Sequence, residues 1–355
     1  MSLAPPTPSS FLETRPIVLS RRFRSWSGRA GFLALLVAGA PVVLAADLRV
    51  GIIGLDTSHV VAFTNALNNA ADKDHVAGAR IVGAFKGGSP DIAASATRID
   101  GFTNELVQKH GVKLYDSIEE LTRNVDAIMI ESVDGRVHLD QARRVLAARK
   151  PVFIDKPVAA SLRDAVEIFR LAREAGVPVF SSSSLRFSDG VAAVKRMDVG
   201  RQIGAFSHGP ATIEPHHPDL FWYGIHAVET LFAAMGRGCV QVTRTQTADT
   251  DVVTGVWSDG RVGTVHGIRG GKSEYGLTVF GAKGVAQGKP DGAYAKLVAE
   301  IVTFFQTGRP PVAPAETLEI FAFMAASDES VRRGGGPVTL AEVLKASGAP
   351  ADLLK

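Results

Sequence analysis

From Leu48 onward the chain alternates short apolar runs with helical patterns, and this alternation leaves its first half very few folds. The run Leu48-Arg49-Val50-Gly51-Ile52-Ile53 ends at Gly54, and Leu55-Asp56-Thr57-Ser58-His59 opens a helical pattern that continues to Ala71. Further apolar runs lie at 79–85, 125–130, 151–154 and 177–181, with helical patterns at 102–110, 117–123 and 138–148 between them. Parallel neighbours in a sheet need a crossover, usually a helix, so this spacing predicts a parallel sheet wound on both faces. The expected class is α/β, with that doubly wound domain over residues 47–182. A second, α+β domain over residues 183–340 is expected from strands at 203–208, 239–246, 251–258, 261–268 and 275–280. The turn Ser258-Asp259-Gly260-Arg261 makes its sheet mainly antiparallel. Helices at 293–305 and 315–331, separated by Gly308-Arg309-Pro310-Pro311, are expected to return and pack on the first domain.

Residues 1–46 read as a separate object. Arg15, Arg21, Arg22, Arg24 and Arg29 precede an uncharged stretch, Ala30 to Ala46, that ends in small residues, the pattern of a secretory signal. Cleavage after Ala45 or Ala46 would yield an exported, periplasmic or otherwise extracytoplasmic protein. Ser20-Arg21-Arg22-Phe23 is similar to a twin-arginine signal, with Phe23 one place early. Retention as an anchor is the alternative, although about 17 uncharged residues interrupted by Pro41 are short for a span. No later segment is expected to cross a membrane. The leader carries five Arg and one Glu, net +4, which leaves −1 of the chain's +3 for the rest. The basic balance therefore belongs to the leader, and no nucleic-acid partner is expected. One cysteine, Cys239, excludes an internal disulfide and a cysteine-rich zinc site, and no metal is expected.

In a sheet of this kind the ligand lies beyond the carboxyl ends of the strands, near the first βα turn. A diphosphate requires a tight turn whose backbone N–H groups face it at the start of the following helix. Here the usual G-x-G-x-x-G is reduced to Gly54-x-Asp56-x-x-His59. Gly54, Asp56, Ser58 and His59 are accordingly candidate cofactor contacts. The second strand ends in Phe85-Lys86-Gly87-Gly88, with no carboxylate before Asp91. Lys86 at that place would accept a 2′-phosphate, so NAD and NADP are both compatible.

Three segments make the reading more specific: Val125–Ile130 with His138-Leu139-Asp140-Gln141-Ala142, Lys150-Pro151-Val152-Phe153-Ile154-Asp155-Lys156-Pro157, and Gly224-Ile225-His226-Ala227-Val228-Glu229. Together they resemble the glucose-fructose oxidoreductase/inositol dehydrogenase/MocA (Gfo/Idh/MocA) family, whose strand-end tripeptide Glu-Lys-Pro becomes Asp155-Lys156-Pro157. The resemblance implies an N-terminal Rossmann domain, a homo-oligomer and a small-molecule carbohydrate substrate. It places Lys156 between the nicotinamide ribose and the substrate, gives Pro157 a peptide that is often cis, and makes His226 the proton acceptor, with Tyr223 beside it. Ser132, His138 and Asp155 would join the cofactor contacts, and Arg186, His216, His217, Trp222 and Tyr223 the substrate contacts. There are departures. Trp222 stands where family dehydrogenases often carry an aspartate, and the loop Glu131–Val137 lacks the family's proline and asparagine. Three functions stay open: hydride transfer at a carbohydrate or cyclitol hydroxyl, glycoside cleavage through transient oxidation and elimination, and sugar binding without catalysis on a degenerate dinucleotide fold.

Overall fold

The computed structural model describes residues 46–292 and 294–354. All but the last residue of the expected leader lies outside the described residues. The first domain begins with β1 (Leu48–Ile53), α1 (Ser58–Asn68), β2 (Ala79–Phe85), α2 (Ala93–Ala96), α3 (Ile99–His110), β3 (Lys113–Leu114) and α4 (Ile118–Arg123). It continues with β4 (Ala127–Ile130), α5 (His138–Ala147), β5 (Val152–Ile154), α6 (Leu162–Ala175) and β6 (Val179–Phe180). The sheet runs in the order β3-β2-β1-β4-β5-β6, every pair parallel. The central strands β4 and β5 are buried at every residue, as helices on both faces require.

The second domain comprises α7 (Asp189–Arg196), β7 (Gln202–Pro210), α8 (Ile225–Met235), β8 (Cys239–Gln246), β9 (Thr250–Trp257), β10 (Val262–Ile268), β11 (Gly276–Gly281) and β12 (Val285–Gly288). Then come α9 (Tyr294–Thr307), α10 (Pro314–Arg332), β13 (Val338–Thr339) and α11 (Leu340–Ala346). Its seven strands order as β12-β11-β7-β10-β9-β8-β13, antiparallel except for β10 beside β7. The chain is thus a Rossmann sheet followed by a mainly antiparallel one.

The last helices do return to the first domain. Leu297, Val298, Ile301 and Phe304 of α9 share a core with Val50 and Ile52 of β1, Phe63 of α1 and Phe180 of β6. Helix α10 brings Leu318, Phe321 and Phe323 into a second core with Val166 and Phe169 of α6 and Val242 and Val253 of the second sheet. Helix α1 stops at Asn68 instead of Ala71, where Asn69 turns extended (φ −104°, ψ 91°), and the Asn68 side-chain amide pairs with both backbone groups of Ile81 at 2.8 Å. Elements without a sequence expectation are the two-residue strands β3 and β13, strand β12, helices α2, α6, α7 and α11, and a π-helical turn at Leu220–Gly224 ahead of α8. Two residues are too few to show a period. Among the described residues no helix is long and apolar enough to cross a membrane.

Candidate active site

The strand order reverses between β1 and β4, and the crevice at that point is where an open α/β sheet takes its ligand. A cleft of about 340 Å³ lies there. Its first wall is Thr57, Ser58 and His59 at the start of α1 with Lys156 and Pro157 beyond β5. Its second wall is Trp222 and Tyr223 on the π-helical turn, His226 on α8 and Tyr275 before β11, and Tyr294 reaches in from α9. Three of the chain's four tyrosines are in this lining, so a fold with few phenols has gathered them at one place.

Lys156 is the second residue after β5. Its Nζ lies 5.9 Å from the centre of the Tyr223 ring, and the Lys156–Pro157 peptide is cis. His226 is buried in the first turn of α8, with its Nδ1 2.7 Å from the hydroxyl of Ser183. That contact fixes the ring plane and leaves the other nitrogen for a ligand in the cleft. Burial, and then the neighbouring Lys156 and His59, push His226 well below its ordinary value despite the opposing pull of Asp155. The ring is therefore neutral near pH 7. Lys156, Tyr223 and His226 form one group of polar side chains that can bind a hydroxyl and exchange its proton.

The other expected residues divide. Ser58 and His59 face the cleft, and His59 Nδ1 also meets Asp155 Oδ2 at 2.8 Å, tying α1 to the end of β5. Gly54 has φ +85°, and a Cβ there would lie 2.1 to 2.5 Å from Ser132 atoms, so its glycine answers to the loop after β4. Asp56 does not face the cleft: its carboxylate turns inward and accepts hydrogen bonds from the Val133 N–H at 2.9 Å and the Ser95 hydroxyl at 2.6 Å. Lys86 makes an exposed ion pair with Asp100 at 2.7 Å. Ser132 pairs with Gln141, while His138 bridges the carbonyls of Ser132 and Pro157 at 2.8 and 3.0 Å. These two brace the loops under the cleft instead of lining it.

On the substrate side, Trp222 and Tyr223 line the cleft as expected. Arg186 does not. It is buried between Glu229 and Glu316, at 3.0 and 2.7 Å, because a guanidinium cut off from water needs carboxylate partners. His217 accepts a hydrogen bond from the Gly135 N–H at 3.0 Å and packs on Trp222, and His216 pairs with Glu214. His217 thus holds the second domain to the loop after β4. Sequence reading passed over Ser183, Glu131, Tyr275 and Tyr294. The run Ser181-Ser182-Ser183-Ser184 after the last sheet strand was a signal for the first.

The diphosphate end suits a dinucleotide. No side chain caps the start of α1, and the Thr57 hydroxyl beside it is buried without a hydrogen-bond partner among the described residues. A phosphate oxygen would satisfy both. Ser58, Thr57 and the first N–H groups of α1 would hold that end, and Lys156 and His59, which line the cleft, would flank the nicotinamide end.

Comparison with known proteins supports the Rossmann fold of the first domain. Residues 48–183 match the GFO_IDH_MocA family, described as an oxidoreductase family with an NAD-binding Rossmann fold. A 110-residue stretch is 33% identical to the 1,5-anhydro-D-fructose reductase of Ensifer adhaerens and spans 29% of this chain and 33% of that reductase. Among solved structures, a probable dehydrogenase from Thermotoga maritima superposes with a TM-score of 0.69 at 20% identity, over 83% of this chain and 100% of that one. Myo-inositol 2-dehydrogenase from Lactobacillus plantarum gives 0.68 at 19% identity, over 83% and 99%. Myo-inositol dehydrogenase from Lactobacillus casei, solved with NAD(H) and myo-inositol, gives 0.66 at 18%, over 83% and 97%. At these identities the structures establish the shared fold.

Proposed function

Since residues 48–183 match an oxidoreductase family with an NAD-binding Rossmann fold, we propose that the chain transfers hydride between a dinucleotide and a hydroxyl-bearing carbon of a carbohydrate or cyclitol. The observation that carries this reading is the meeting of Lys156, Tyr223 and His226, from two domains, in the cleft at the nicotinamide half of the sheet. A bound dinucleotide would supply the hydride acceptor on oxidation and the hydride donor on reduction. Lys156 donates a hydrogen bond to the reacting oxygen, and neutral His226 takes the hydroxyl proton on oxidation and returns it on reduction. Trp222 and Tyr223 offer ring faces to the apolar face of a sugar or cyclitol. The substrates named for the reductase and inositol dehydrogenases above, an anhydro-ketose and a cyclitol, are the first to assay.

The test is Lys156→Met, which keeps the length of the stem and removes the charge. Turnover of NAD with a panel of sugars and cyclitols should fall by about a hundredfold or more, with thermal unfolding little changed. Undiminished turnover would refute the role of Lys156.

One observation favours a second reading, glycoside cleavage through transient oxidation. Besides His226 on the second domain, the cleft has His59 on the first, so two imidazoles are available for the two proton transfers that elimination requires. Release of free sugar without net NAD reduction would support it. We also propose export of the chain by its leader and assembly of the mature protein into a homo-oligomer.

A further inference from the structure

Beneath the cleft is a cluster that the proposed reaction leaves unused, and its interpretation rests on the dinucleotide reading above. Glu131 is the first residue after β4 and Asp155 the first after β5. Their N–H groups donate to the carbonyls of Ile53 and Ile130 at 2.7 and 2.8 Å, which continues the ladder and fixes the two carboxyl groups near each other. Glu131 is wholly buried and Asp155 is 1% exposed. His59 Nδ1 lies 2.8 Å from one Asp155 oxygen, and one ligand atom from each of the three residues lies within 4.8 Å of the others. The remaining Asp155 oxygen and both Glu131 oxygens have no hydrogen-bond partner among the described residues.

Two adjacent buried carboxylates do not both stay ionised without a compensating charge. Burial and then the charge of Asp155 push Glu131 well above the usual carboxylate range, with Lys156 opposing. Asp155, against its own burial, is held low by His59 and Lys156. Of the two, Glu131 is therefore the carboxyl group that takes up a proton more readily. The groups that act on it are His59 from α1 and Lys156 beyond β5, with His138 on α5, His226 on α8 and Tyr294 on α9 within electrostatic reach of Asp155.

A cationic ligand would relieve this arrangement. The β4–β6 half of such a sheet takes the nicotinamide half of a dinucleotide, and a nicotinamide ring is positively charged when oxidised and neutral when reduced. We propose that Glu131 and Asp155 make the cleft select the oxidised, cationic dinucleotide, whose binding drives the proton from Glu131 to solvent past His59, the member of the cluster on the cleft wall. One positive charge enters and one leaves, so the buried charge is conserved. The reduced form, with a neutral ring, displaces no proton.

Linkage gives the size of the effect. While Glu131 is protonated in the free protein, release of one proton per ligand raises the affinity for NAD+ about tenfold per pH unit, and the affinity for NADH stays flat. Calorimetry of the full-length protein with NAD+ and with NADH, each in two buffers of different ionisation enthalpy, counts the protons. The expected result is release of about one proton with NAD+, none with NADH, and none with either in Glu131→Gln, whose NAD+ affinity at pH 8 falls about tenfold while its NADH affinity holds. Equal counts for the two forms in the native protein, or release that persists in Glu131→Gln, would overturn the inference while leaving the dinucleotide reading intact. Failure of both forms to bind would overturn the dinucleotide reading and this inference with it. A stoichiometric divalent metal in the purified protein that disappears in Glu131→Gln would overturn the inference by making the cluster a metal site.

Discussion

His226 shows how a single residue's surroundings decide its chemistry. Oxidation of an alcohol needs an unprotonated acceptor, and burial followed by the charges of Lys156 and His59 keeps this ring neutral well below its ordinary 6.5. The sign is that of a depressed histidine: the neutral form dominates at neutral pH, and protonation sets in only at lower pH. Oxidation should therefore lose rate only on an acidic limb that lies below pH 6.5. Lys156→Met removes one nearby cation and should move the His226 titration upward, which NMR can follow with the Asn variant at 226 identifying the resonance. A limb at or above pH 7 in the native protein, or an unmoved titration, would sink this account. Lys156 and His226 were legible because each belongs to a short pattern at a recognisable strand end or helix start. Arg186 and His217 were read as ligand-facing because a sequence does not show which side chain will neutralise a charge. Their partners Glu229, Glu316 and the Gly135 N–H are remote along the chain and become neighbours only when the sheets form.

At the scale of elements, the first βα turn is the unit to test. Gly54 ends β1 with a positive φ, its N–H donates to the Phe85 carbonyl at 3.0 Å, and the Leu55 N–H donates to the Lys86 carbonyl at 2.9 Å. Asp56 then clasps Val133 and Ser95, so one turn binds the loop after β4 and the segment after β2. Gly54→Ala would place a methyl group against the Ser132 backbone and strain a left-handed residue. It should cost at least about 2 kcal/mol in chemical denaturation. Asp56→Ala should cost about 1–3 kcal/mol, the usual penalty for leaving a buried donor such as the Val133 N–H unpaired. If that variant instead matched the native protein in stability and bound dinucleotide more tightly, Asp56 would belong to the cofactor site after all. The alternation that announced this domain was strong because its strands are buried on both faces and its helices are regular. The inward turn of Asp56 was not visible, since a carboxylate in a G-x-G position reads as facing the phosphate until its partners are known.

At the scale of the whole molecule, the second sheet has one face committed and one not. Val253, Gly255 and Trp257 of β9 and Gly263 and Val265 of β10 turn toward α8 and α10, which bury them. The alternate residues, Val252 and Val256 on β9 and Val262 on β10, point the other way and are exposed, together with Val240 on β8, Ile203 on β7 and Phe280 on β11. Val256 and Val262 are directly paired across the two strands, and Phe280 follows in the same row beyond Gly204, so these three form one apolar strip. Period-2 alternation in a solvated face would place polar side chains at these positions. An exposed apolar strip of this kind suits an interface, and the proposed homo-oligomer would cover it with a second copy of the same sheet, because a two-fold contact presents one patch to itself. The mature protein should therefore run as a dimer or larger oligomer in light scattering. Replacing Val256 and Val262 together by Glu places like charges at the centre of the contact and should give monomers, with near-UV circular dichroism and dinucleotide binding kept because the cleft lies on the other side of this sheet's helices. A native protein that is monomeric at micromolar concentration would show that the face has some other occupant.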